Sequence, residues 1–115
     1  MKTQNTYYRV CHKETLQGLW YTYSGDFTGL IHNEFDFCLN TKLEMEFDET
    51  IVGWLSATES LESLWKWFTK EDIKKLQKHG WYIHEFKAKD AKFYERFQHT
   101  IIKQDTSKVI RLIEI

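Results

Sequence analysis

The chain has 115 residues, 42% of them hydrophobic and 29% charged, with a formal net charge of −1, which suits one domain over residues 1–115 and excludes a separate regulatory domain. No apolar run nears the roughly 20 residues of a bilayer span, and Met1–Asn5 leads into no apolar signal region, so the expectation is a cytoplasmic protein with no membrane partner. Cys11 and Cys38 lie far apart in apolar stretches, which predicts buried free thiols, and their spacing from the histidines matches no zinc pattern.

Proline is absent and aromatics reach 17%, including five tryptophans, so the core is built from large pieces, with one or two rings left to stack on a planar ligand. Aromatic content alone also admits a carbohydrate- or nucleotide-binding module. Residues 14–62 carry ten Asp and Glu against Lys42 alone, whereas residues 63–96 carry nine Lys and Arg against five acids. Lys66, Lys70, Lys74, Lys75 and Lys78 crowd a segment without arginine, which reads as a solvated helix face and makes nucleic acid an improbable partner.

From the N-terminus, Gln4 to His12 alternates as a strand with Tyr7, Arg9 and Cys11 on one face and Tyr8, Val10 and His12 on the other. Arg9 interrupts an otherwise apolar and aromatic strand, so it lies at an edge, snorkels to solvent or points into a cleft. Between Glu14 and Asp48 the signals are weak: Gly18, Gly25 and Gly29 mark turns around Trp20, Tyr21, Tyr23 and Phe27, Phe35–Leu39 reads as either a short helix or a strand, and His32 suits a turn.

Glu49 to Leu55 is a second strand candidate. It runs through Ser56-Ala57-Thr58 into a segment whose Leu61, Leu64, Trp65 and Phe68 form one apolar helix stripe. Ser56 and Glu59 fit an S-x-x-E capping box, and Thr58 is an alternative N-cap. The same junction, with small hydroxyls beside new helix N–H groups, suits phosphates and other anions. Thr69-x-x-Asp72 predicts the cap of a second helix that turns Ile73 and Leu76 inward and ends at Gly80. Trp81 to Lys87 is a strand with Ile83 and Glu85 on one face and Tyr82, His84 and Phe86 on the other. Asp90 to Arg96 is a turn or short helix. Phe97–Lys103 and Lys108–Ile115 are expected to pair as a hairpin around Gln104–Ser107. The whole predicts an α+β fold of small, mainly antiparallel sheets forming a cleft with a central pair of helices. The scattered histidines reveal no hydrolytic triad by spacing.

Arg9 on the first strand, Ser56-Ala57-Thr58 closing a strand before a helix and Gln98 opening a late strand resemble, in chain order, the arginine, serine-threonine-serine and glutamate arrangement of the ADP-ribosyltransferase family. The resemblance implies NAD or a related nucleotide as cofactor, with Arg9 on phosphate or ribose, Ser56 and Thr58 shaping the nicotinamide pocket, Gln98 on the ribose, and Tyr8 or Trp54 stacking. It implies transfer of ADP-ribose to a protein acceptor, a step in which a carboxylate stabilises the developing oxocarbenium charge. Gln98 stands where the family has glutamate, and Glu85 is the substitute carboxylate. The chain also resembles small proteins of phages and mobile elements, some of which blunt bacterial defences on this fold. That implies an alternative role: a non-enzymatic interaction protein that blocks a host defence protein.

Overall fold

A computed structural model describes residues 5–19 and 48–115. The turns at Gly25 and Gly29, the Trp20–Phe27 aromatics, His32, Phe35–Leu39 and Cys38 lie outside the described residues. Among the described residues, six strands form two three-stranded antiparallel sheets. β1 (Asn5–His12), β3 (Trp81–Ala88) and β6 (Ser107–Ile113) pair in the order β1-β3-β6. β2 (Trp54–Ala57), β4 (Ala91–Tyr94) and β5 (His99–Lys103) pair in the order β2-β5-β4. Two helices, α1 (Leu61–Leu64) and α2 (Lys70–Gln77), follow β2 and precede β3. The α+β class with mainly antiparallel sheets and two helices is therefore present.

The alternation in β1 and β3 sorts their side chains into two cores. Val10, Trp81 and Ile83 join Leu64, Phe68, Ile73 and Leu76 on the helix side, while Tyr7, Cys11 and Phe86 join Leu55, Ala57 and Ile102 on the other. Every residue of β5 before Lys103 is buried, so this strand is apolar or hydrogen-bonded on both faces, as a central strand must be. Burial of Phe86 and Phe68 at about 1% exposed places each among contacts whose truncation costs roughly 3–5 kcal/mol.

Local signals set α2. The Thr69 hydroxyl accepts the Asp72 N–H at 3.0 Å and the Asp72 carboxylate accepts the Thr69 N–H at 3.2 Å, which completes the predicted capping box. Gly80 ends the helix at φ +89°, and a Cβ there would stand 2.7 Å from His12 Nε2, so both backbone conformation and close approach demand glycine. Lys66, Lys70, Lys74, Lys75 and Lys78 are all exposed, the solvated face expected of them.

Four local expectations are corrected. Glu49–Leu55 is not one strand: Glu49–Ile51 is a 3₁₀ turn capped by Asp48, and Gly53 at φ +92° delays β2 to Trp54. Ser56 and Glu59 form no capping box, because Ser56 belongs to β2 and Ser60 caps α1 by accepting the Ser63 N–H at 3.1 Å. Asp90–Arg96 is largely strand β4, turning at Glu95–Gln98 into β5. The terminal hairpin does not form. β5 pairs with β2 and β4 and β6 pairs with β3, so the 3₁₀ turn Gln104–Thr106 carries the chain from one sheet to the other. Turn residues marked the reversal correctly, but pairing is decided by which open edge lies nearby.

Candidate functional site

Among the described residues, backbone pairing joins β1 to the end of β2 at one bridge. Tyr8 N–H donates to Thr58 O and Thr58 N–H to Tyr8 O, both at 2.8 Å, and the ladder between β1 and β2 goes no further. Thr58 is locked there, its hydroxyl donating to Ser60 O at 2.9 Å. Beside this bridge Arg9 is buried, only 6% exposed, and its Nη1 donates to Ser56 O at 3.1 Å. Arg9 Nε is buried without a hydrogen-bond partner. Arg9 lines a cavity of about 20 Å³ together with Ser56, Trp54, Trp67, Leu19 and Phe68, room for roughly one water-sized sphere.

Ser56 also meets His99, the first residue of β5, whose Nε2 lies 3.0 Å from Ser56 Oγ. His99 Nδ1 lies 3.1 Å from Phe97 O, and a carbonyl can only accept, so Nδ1 carries the proton and Nε2 accepts from the Ser56 hydroxyl. Burial pushes His99 below the ordinary histidine range; the bond to Phe97 O opposes this and the Arg9 charge adds to it. His84, paired with Arg9 across β1 and β3, is likewise buried and pushed down, first by desolvation, and its Nδ1 donates to Tyr82 O at 2.9 Å. Cys11 completes the neighbourhood as a buried free thiol, pushed up by burial against the opposing charge of Arg9. The result is a buried cation among neutral polar groups, with no carboxylate paired to it among the described residues.

Trp67 lines both this cavity and a larger groove of about 310 Å³, walled also by Thr58, Glu59, Lys66, Phe93, Gln98 and His99. That volume is at the low end of the roughly 300–1,000 Å³ usual for small-molecule sites. Its carboxylate is Glu59, which accepts the Thr100 hydroxyl at 2.9 Å. Phe93 is 56% exposed at the groove. Gln98 sits at φ +56° in the β4–β5 turn, and its Nε2 donates one N–H to Glu95 O at 2.5 Å.

Of the residues singled out in the sequence, Arg9, Ser56 and Trp54 share the cavity, and Thr58 and Gln98 share the groove. Lys92 Nζ stands 4.6 Å from the centre of the Trp54 ring, so a cation covers a face that stacking needs. Tyr8 and Glu85 are not brought in. They are register partners on the face of the first sheet opposite Arg9 and His84, where Tyr8 packs in the helix-side core and Glu85 accepts Arg111 Nε at 2.7 Å. Sequence reasoning missed His99 and Glu59. Ser56 and His99 are 43 positions apart, and no local pattern links them. Glu59 was legible as an acid beside the hydroxyl motif but was read as half of a capping box. No group of three or more His, Cys, Asp or Glu suited to a metal occurs among the described residues, and no described helix is long and apolar enough to cross a membrane. No protein-family model, no curated protein and no solved structure matches the chain.

Proposed function

We propose that this chain is an ADP-ribosyltransferase-like domain that binds NAD or a related nucleotide where the two sheets part. The observation that carries the reading is the placement of Arg9: a buried guanidinium with a spare N–H, beside the single β1–β2 bridge, bonded to Ser56 and adjoining a groove lined by Thr58 and Gln98. The groove fits the nicotinamide and ribose end of such a ligand rather than a whole dinucleotide; Lys66 lines it directly, and Arg9 lies behind the shared Trp67 wall, where a phosphate reaches it only as the small cavity opens. Bound NAD supplies an activated glycosidic bond. Glu59 takes the role first given to Glu85, since its carboxylate faces the groove and can stabilise positive charge at a sugar carbon. Lys66 across the groove balances that acid, and Trp67 and Phe93 offer ring faces.

A second reading is favoured by one observation. The position of the late-strand acid is held by Gln98, whose amide is tied to Glu95 O, which suits a domain that binds without catalysing. In that reading exposed Phe93 contacts a protein partner such as a host defence protein.

The test is a titration of the protein with NAD, followed by tryptophan fluorescence and Tm, with Arg9→Ala and Glu59→Gln in parallel. Saturable binding is expected in the parent and in Glu59→Gln and lost in Arg9→Ala, while transfer of labelled ADP-ribose to protein acceptors is lost in Glu59→Gln. Absence of binding at millimolar NAD moves the assignment to the second reading.

A further inference from the structure

We infer that β6 is a self-association edge, on which a second copy of this chain pairs antiparallel across a two-fold axis through Arg111. β6 ends its sheet: among the described residues it pairs with β3 alone. An open strand edge presents unpaired backbone N–H and C=O groups, a template for another strand unless the side chains prevent it. Exposed apolar side chains gather here, with Ile110 at 42% and Leu112 at 40%. The charges that flank them are not neutralised within the chain, since Lys108 and Glu114 make no ion pair among the described residues.

The order of residues selects the occupant. About Arg111 the segment is symmetric in exposure: positions 108, 110, 112 and 114 are exposed, and 107, 109, 113 and 115 are half-buried. Antiparallel pairing of two copies in this register sets Ile110 opposite Leu112 and Val109 opposite Ile113, each twice. It also sets Lys108 of one copy opposite Glu114 of the other at both ends. A like-charged edge would repel its own copy; this one matches it. The one like-charge contact is Arg111 against Arg111, and each guanidinium carries its own counter-charge, with Nε 2.7 Å from Glu85. The bulge where β6 shifts register against β3 at Glu85–Phe86 adds twist to both copies equally, so the two-fold survives it. Pairing uses up both β6 edges and stops at two chains. No residue lining the groove lies on β6, so the inference stands apart from nucleotide binding.

Sedimentation equilibrium of the chain from about 1 μM to about 1 mM tests this. The mass should rise reversibly from the 14.0 kDa of one chain toward twice that value. Lys108→Glu sets like charges opposite each other at both ends and should weaken association about tenfold, as should Glu114→Lys. The chain carrying both changes should regain the parent affinity. Both positions are exposed, so Tm of the dilute protein should not fall in any of the three, and a lost dimer is then a loss of association and not of folding. Amide exchange along β6 should slow as the dimer forms. A single-chain mass at the highest concentration overturns the inference, as does a dimer indifferent to either reversal or one that the double reversal fails to restore.

Discussion

Asp48 and Arg9 are equally buried, each 6% exposed, and they are treated in opposite ways. Asp48 accepts the Thr50 N–H at 3.0 Å, the Thr50 hydroxyl at 2.6 Å, Arg96 Nη1 at 2.8 Å and the Tyr94 hydroxyl. Those bonds, the Thr50 hydroxyl first and Tyr94 next, hold its carboxyl far below the usual range. Arg9 Nη1 has one carbonyl acceptor, Ser56 O, and its Nε has no hydrogen-bond partner. A satisfied buried charge is architecture: Asp48 ties the start of the second sheet's first strand to the β4–β5 hairpin. The Arg9 acceptor, Ser56 O, lies beside the bridge that joins Tyr8 to Thr58.

The largest expected effect is from Asp48→Ala, which removes the one buried acceptor shared by the Thr50 N–H, the Thr50 and Tyr94 hydroxyls and Arg96 Nη1. Thermal melts should show it as the greatest loss of Tm in the series. Arg9→Ala should not match it; if it did, Arg9 would be architecture too and the contrast would fail.

Acid titration sharpens the same contrast in two windows. The folded-state pKa of Asp48 lies below its unfolded value of about 3.9, so its contribution is complete above that value and disappears as pH falls below it. His84 and His99 are also depressed from 6.5. The unfolded chain therefore takes up their protons first, and stability declines as pH falls below about 6.5 toward the folded values. Denaturant midpoints measured from pH 8 to 3 should show both steps, and Asp48→Ala should erase only the lower one.

Arg9→Met is expected to change stability by no more than about 1 kcal/mol or to raise it, because apolar groups often replace buried ions without loss. Equilibrium unfolding checks this, and a loss of several kcal/mol would assign Arg9 a structural role. The smallest effect is from Gln98→Gly. At φ +56° a glycine is unstrained, so a gain of roughly 0.5–1 kcal/mol is expected, with NAD titration showing whether the lost amide matters to binding.

Legibility in the sequence followed the range of the interaction. The Thr69–Asp72 box, the Gly80 stop and the face alternation in β1 and β3 rest on residues at most four apart, and all are present. The expected hairpin between Phe97–Lys103 and Lys108–Ile115 failed because a turn reverses the chain without choosing its neighbour. β5 found β2 and β4, and β6 found the open edge of β3.

The site divides in the same way. That Arg9 is a cation in an apolar strand, and that Ser56 and Thr58 end a strand before a helix, followed from residue type and spacing alone. That Arg9 meets Ser56, that His99 accepts the Ser56 proton, and that Glu59 rather than Glu85 faces the groove were decided by tertiary structure. The physical reason is that alternation assigns each side chain a face, while only the assembly of the sheets determines which faces meet and which polar atoms are left without a partner.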